Sequence, residues 1–350
     1  MSFKAVFPGL RTFLKGDVTT TTMPRYFVQG KGEIRLSKSD FKAQGGEGAI
    51  YVKGPTAYKI YKDPGRAITP AKILELSTLT QPNIIRPLDV LLDGRNKPVG
   101  YTMRSAGKSY ALCQLFPKAF RQRNTLTPEM TLGLVRKLRD GVNHVHANGI
   151  LLVDLNEMNF LVAEDFSEIF FIDVDSYQTP SHSATVLMES VRDRHAQTFT
   201  TGSDWFSFAV VSFQMFVGIH PFKGTYPPLQ SLPDKETKLD ARMRANVSVL
   251  NPGVSIPASC LPFSTIPPAY LDWYRAVFEE ASDCLHPKTH NPLSPSLRRA
   301  RRRVMPAAVI SRSRKYGNLM VRSSGMTASL RLLRRASITA ARNFRSHGST

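Results

Sequence analysis

Cysteine is scarce in this 350-residue chain: Cys113, Cys260 and Cys284 are odd in number and lack metal-ligand spacing. That argues against a disulfide framework and a cysteine zinc site, and leaves reduced thiols in a cytosol-like compartment. Long apolar runs are missing too. The longest, Trp205 to Ile219, is interrupted by Ser207, Ser212 and Gln214; a bilayer span needs about 20 apolar residues, so this run suits a helix buried in a core. The N-terminus, MSFKAVFPGLRTFLKGD, has neither a continuous apolar core nor a small-residue cleavage site, so no signal peptide is expected. Acidic residues stop at Asp283, whereas 15 Lys or Arg follow it, so residues 1–283 hold only +5 of the net +20. What remains, 42% hydrophobic and 21% charged, is the composition of a globular protein with enough length for one large domain or two smaller ones.

The stretch His146–Asp173 carries the densest chemistry. Asp154 and Asn159 stand five apart between the apolar runs Ile150–Val153 and Phe160–Val162; after the acidic turn Glu164-Asp165, the run Ile169–Ile172 ends on Asp173. Two short strands joined as a hairpin would bring the three polar groups to one mouth. A carboxylate to orient a hydroxyl, with an Asn and an Asp to hold Mg²⁺, is what phosphoryl transfer asks of a protein. The plain alternative is a solvated hairpin with ordinary turn residues.

Upstream, residues 1–33 read as an N-terminal extension and Ile34–Leu36 as a first strand. Gly45, Gly46 and Gly48 sit in AQGGEGAIYV, where glycine would permit positive φ and a close backbone approach to phosphate. Thr56–Tyr61 alternates as a strand, with Ala57, Lys59 and Tyr61 on one face and Tyr58 and Ile60 on the other. Thr69–Thr80 reads as a short helix with Pro70 near its start, and Leu88–Leu92 and Val99–Met103 as strands around the turn Asp93–Asn96. Beyond Gly107 the pattern turns helical. Thr127-Pro128-Glu129 opens a helix that Gly149 stops, with Leu132, Val135, Leu138, Val142 and Val145 on its apolar face. Residues 174–200 read as a long surface loop, Asp204–Val217 as the most hydrophobic helix, 223–268 as irregular, and Ala269–Cys284 as the last helix.

Taken in order, these pieces resemble the eukaryotic-like protein kinase superfamily over about residues 34–285, in the divergent bacterial and phage variant that carries Gly-Gly-Glu-Gly and Asp-Val-Asp-Ser. Ala43–Tyr51 resembles the glycine loop, Thr56–Lys59 the strand-three lysine motif, and Gln81–Ile85 the approach to strand four. His146–Val162 is similar to the catalytic loop, and Gly202–Trp205 and His220–Phe222 to the ends of the central helix. The resemblance implies an α+β, bilobal kinase-like fold: a β-rich N-lobe with one helix at 34–104, a helical C-lobe at 105–292, and a basic tail at 293–350. It further implies ATP held by Gly45, Gly46, Gly48, Ile50, Ala57, Lys59 and Met103, Mg²⁺ held by Asn159 and Asp173, and Asp154 as the base. Glu75, the only acid in the short helix, would pair with Lys59, although Lys72 stands nearer the usual position. The implied activity is ATP-dependent transfer to a Ser or Thr of a protein substrate or of the chain itself.

Departures from the family pattern keep a second expectation open, a pseudokinase or nucleotide-binding scaffold. Leu152-Val153 replaces the His-Arg before the base, so switching through an arginine–phosphate contact is not expected. Asn156 replaces a lysine, Val174-Asp175 replaces Phe-Gly and sets a second carboxylate beside the metal site, and no Ala-Pro-Glu match falls within 185–202. The tail offers its own partners. Arg298–Arg303 is a basic run, and in 326–345 Leu330, Leu333, Ala340, Ala341 and Phe344 share one helical side, with Arg331, Arg334, Arg335, Arg342 and Arg345 on another. Such a helix suits an anionic membrane surface or nucleic acid, the plain alternative being a solvated disordered tail, and Ser337 resembles a basic-directed phosphorylation site. The expected location is the cytoplasm, with a peripheral place at a membrane as the alternative.

Overall fold

Alternating side chains and short turns build most of the first hundred residues into strands. The computed structural model describes residues 25–184 and 187–280; the tail and Ser337 lie outside the described residues. Seven antiparallel strands form one sheet in the order β2-β1-β6-β7-β5-β4-β3: β1 Tyr26–Val28, β2 Gly32–Ile34, β3 Phe41–Gln44, β4 Gly48–Lys53, β5 Thr56–Tyr61, β6 Val90–Asp93 and β7 Pro98–Arg104. The helix α1, Pro70–Leu76, lies between β5 and β6 in sequence; Thr69 caps it by accepting from the Lys72 amide. Its expected last turn, up to Thr80, is absent because the chain leaves the helix at Ser77.

The alternation read along β5 is realised. Ala57 and Tyr61 enter the main core, and Tyr58 packs with Leu36, Leu91 and Val99 in a smaller cluster on the other face. The stretch expected to be an extension is corrected in part: Tyr26–Ile34 is a hairpin, turned at left-handed Gly30. Pairing of Tyr26–Val28 with Leu91–Asp93 joins it to the sheet.

Helices dominate after residue 117: α2 Lys118–Arg123, α3 Pro128–Ala147, α4 Thr201–Val217, α5 Lys235–Arg244 and α6 Pro268–Glu279. With α1 they make six helices among the described residues, and the class is α+β. A three-stranded sheet, β8 Ser109–Ala111, β9 Phe160–Ala163 and β10 Ile169–Phe171, lies in the order β10-β9-β8. α3 begins at the Thr127 cap and ends ahead of left-handed Gly149. It meets β10 where Gly141 faces Phe171; a Cβ on Gly141 would overlap the phenyl ring. α4 is buried almost along its whole length, as an apolar helix without a polar face requires.

Two readings of irregular chain are corrected. Residues 174–200 are no plain surface loop, since Val174, Asp175, Ser176, Tyr177, Thr179 and Val191 are buried. Within 223–268 lies α5, capped by Asp234. Only Arg242 and Met243 of α5 are buried, so its sequence carries no apolar stripe to announce it.

Candidate active site

The register of the large sheet sets Lys59 between Ile50 on β4 and Tyr101 on β7. Only 4% of Lys59 is exposed. Close strand approach depends on small residues nearby: a Cβ at Gly48 would strike the Ile60 carbonyl, and one at Gly100 the Lys59 carbonyl. Gly48 is therefore demanded by packing. Contrary to expectation, none of Gly45, Gly46 and Gly48 has positive φ. The turn closes through the Gly45 amide donating to the Gly48 carbonyl at 2.9 Å, which hangs Glu47 over the lysine.

On the other side, β9 and β10 form the expected hairpin, extended by the Ile172 amide donating to the Asn159 carbonyl at 3.0 Å. Asp173 follows in a left-handed conformation and turns the chain into a single helical turn, Val174–Ser176. This kink brings both Asp173 and Asp175 to Lys59. The ammonium donates to Asp173 Oδ1 at 2.6 Å, to Asp175 Oδ2 at 2.8 Å and Oδ1 at 3.0 Å, and to Glu47 Oε2 at 3.2 Å. Tyr61 and Tyr101 each donate a hydroxyl hydrogen to Asp175, on Oδ2 and Oδ1, both at 2.6 Å. Lys72 of α1 donates to the Asp175 carbonyl at 2.7 Å.

Electrostatics follow from this packing. Burial opposes the charge on Lys59, but Asp175 and Asp173 outweigh it and hold the ammonium above the usual lysine range. Burial likewise pushes Asp175 up, and Lys59 with the two tyrosine hydroxyls brings it below the ordinary carboxylate range. Burial and the adjacent Asp175 charge raise both tyrosines, so their hydroxyls remain donors at physiological pH. Lys72 is lowered by burial.

A second cluster surrounds Asp154. The Asn159 side-chain amide donates to the Asp154 carbonyl at 2.8 Å and to Oδ2 at 3.1 Å, while the Met188 amide donates to Oδ1 at 2.7 Å. The backbone just ahead is tied to Asp204 in the first turn of α4. Asp204 Oδ1 accepts from the Val153 amide, and Oδ2 from the Leu152 amide, both at 2.8 Å; His146 Nε2 lies 2.9 Å from Oδ2. Val153 is held at φ 62°, a conformation that a β-branched residue adopts only when its surroundings impose it.

Of the residues singled out in the sequence, Lys59 and Asp173 are brought into contact, and Asp154 and Asn159 into a hydrogen-bonded pair at the start of β9. Ile50 is half-buried across from Lys59, and Ala57 and Met103 face each other across β5 and β7, both buried in the core. Glu75 is not a partner of Lys59, which corrects that expectation. Lys72 occupies the inward position on α1, while Glu75 is held well down, to about 2, chiefly by hydrogen bonds from the Thr179 and Ser181 hydroxyls. A cavity of about 300 Å³ opens between the glycine turn and α1, with Glu47, Lys62, Arg66, Lys72 and Asp175 in its wall; Ile50, Ala57 and Met103 are not part of that wall.

Sequence reasoning missed Tyr101 and Asp204 as supports. Tyr61 shared the Lys59 face and was legible by alternation, whereas Tyr101 reaches Asp175 only through strand pairing. Carboxylate oxygens of Glu47, Asp173 and Asp175 lie within 4.8 Å of one another; they are hard oxygen donors of the kind Mg²⁺ takes, although Lys59 is hydrogen-bonded to all three and Asp175 also accepts from two tyrosines. Asn159 uses its side-chain nitrogen toward Asp154, so Oδ1 is the atom of that amide with acceptor capacity for a cation. No helix among the described residues is long and apolar enough to cross a membrane. Compared with known proteins, the sequence matches no family model, and no curated protein matches it.

Proposed function

We propose that the protein is an ATP-dependent, protein-kinase-like phosphotransferase with a bilobal fold. The β1–β7 sheet with α1 would form the smaller lobe, and the helices after it the larger. The single observation that carries this reading is the Lys59–Asp173 ion pair at 2.6 Å, made between residues 114 apart on a sheet strand and a hairpin end. In this reading Lys59 and the remaining amides of the Gly45–Gly48 turn, the Gly45 amide being spent inside it, hold nucleotide phosphates, with the adenine on the side of Ile50, Ala57 and Met103, outside the 300 Å³ cavity. Asp173 and the side-chain Oδ1 of Asn159 would hold Mg²⁺, which when bound neutralises phosphate charge. Asp154 orients the acceptor hydroxyl, a Ser or Thr of a protein substrate or of this chain. Most of the rate would come from positioning and charge neutralisation.

The test is ATP binding with and without Mg²⁺. Wild type should bind more tightly with Mg²⁺, Asp173→Ala should lose that dependence, and Lys59→Met should bind more weakly under both conditions. Equal binding by all three proteins refutes the assignment.

One observation favours a second reading, a nucleotide-binding scaffold: the Met188 amide occupies Asp154 Oδ1, the oxygen an acceptor hydroxyl would need. Transfer from labelled ATP to a generic acceptor separates the two. A loss of about 100-fold or more in Asp154→Ala supports transfer. Equal background from both proteins, with ATP still bound, supports the scaffold.

A further inference from the structure

We infer that Asp175, held by the hydroxyls of Tyr61 and Tyr101, positions Lys59 for the phosphates, and that α1 supplies no carboxylate for this purpose. The inference rests on the phosphotransferase reading and assigns separate roles to its two neighbouring aspartates.

A lysine ammonium is a point charge on a flexible four-carbon stem, so it acts precisely only when fixed by its surroundings. α1 cannot fix it. Its inward residue is Lys72, a cation committed to the Asp175 carbonyl, and Glu75 is turned toward His182, 3.2 Å from Nδ1. Asp175 is built for the task. Both of its oxygens accept from Lys59, and each also accepts from one tyrosine hydroxyl. Two oxygens offer about four lone-pair directions, so Asp175 has little left for a metal. Its side chain is 4% exposed, against 32% for Asp173. Asp173 is therefore the more open of the two to a cation and phosphates, and Asp175, spent on its own hydrogen bonds, is the fixed support. Lys72 then couples α1 to the backbone at 175, so α1 steadies the support without touching Lys59.

The experiment compares Asp175→Asn, Tyr101→Phe and Glu75→Gln with wild type in two assays. In steady-state transfer, Asp175→Asn should lower kcat by about 100-fold and Tyr101→Phe by about tenfold, the latter from one lost charge-assisted hydrogen bond. Glu75→Gln should stay within about twofold in kcat and KM, since the charge it removes faces away. The second assay needs no nucleotide: the acetylation rate of Lys59 at one fixed pH, read by mass spectrometry, reports how firmly its buried ammonium is held. That rate should rise severalfold in Asp175→Asn, which frees the ammonium from its fixed support, and stay unchanged in Glu75→Gln. Tyr101→Phe keeps the carboxylate and serves if Asp175→Asn fails to fold. If wild type transfers phosphate while Asp175→Asn and Tyr101→Phe keep its kcat, or Glu75→Gln loses as much as they do, the positioning inference is overturned and the phosphotransferase reading stands. If wild type neither binds nor transfers, both fall.

Discussion

Replacing Asp204 tests the architecture beneath Asp154 most directly. Its carboxylate is completely buried and is the shared acceptor of the Leu152 amide, the Val153 amide and His146. Alanine would remove the acceptor and leave two buried N–H groups without a partner, at about 1–3 kcal/mol each. Breaking a buried charged network by deleting one member costs about 3–5 kcal/mol, and the two routes agree near 4 kcal/mol. For a body of this size that corresponds to a fall in Tm of about 8–16 °C. Local geometry should suffer further. Val153 holds its left-handed conformation at an expense of about 1–3 kcal/mol, and the Asp204 bonds are what impose it. Without them the segment relaxes and carries Asp154 from its place, so if the proposed phosphotransferase function holds, transfer should drop even at temperatures where the variant is folded. Asp204→Asn, of equal size but with one acceptor oxygen facing three donors, should fall between wild type and Asp204→Ala. Urea unfolding at several temperatures, with transfer measured on the same preparations, reads both effects. A loss below about 1 kcal/mol in Asp204→Ala would refute the account of how residues 152–154 are held.

His220 is buried, with Nε2 donating to the Ser190 carbonyl and Nδ1 accepting from the Phe222 amide; burial lowers it from 6.5 to about 3. Folding thus favours its neutral form. Its contribution is complete above pH 6.5 and declines as pH falls toward 3, by about 1.4 kcal/mol per unit; urea midpoints at pH 7, 6 and 5 should decline less steeply in His220→Asn. Gly141→Ala should destabilise by about 1–3 kcal/mol because the added methyl meets the Phe171 ring, and an unchanged Tm would contradict that packing. Binding of the full chain to anionic vesicles and to DNA should weaken as salt rises if the 15 cations after Asp283 contact anions; a flat response to both would refute anion binding by those residues.

Local chemistry made much of this fold legible. The strand Thr56–Tyr61, the helix beginning at Thr127-Pro128 and ending before Gly149, and the hairpin through Glu164-Asp165 follow from alternation, capping and turn residues a few positions apart. α5 was not legible, because a helix that buries little carries little apolar period. The hairpin Tyr26–Ile34 was hidden in a Thr-, Gly- and Lys-rich segment, and only pairing with β6 supplies its partner strand.

Pairing across the chain was decided elsewhere. The sequence by itself determined that Lys59 and Tyr61 share a strand face and that Asp173 ends an apolar run, since period and sequence distance govern both. Only the tertiary structure decided that Asp175 would accept from Lys59 and two tyrosines, that Lys72 would take the inward place on α1, and that Glu75 would turn to the loop at 179–182. The rotation of a seven-residue helix and the meeting of groups more than a hundred residues apart are settled by how the core closes, and no local pattern encodes that closure.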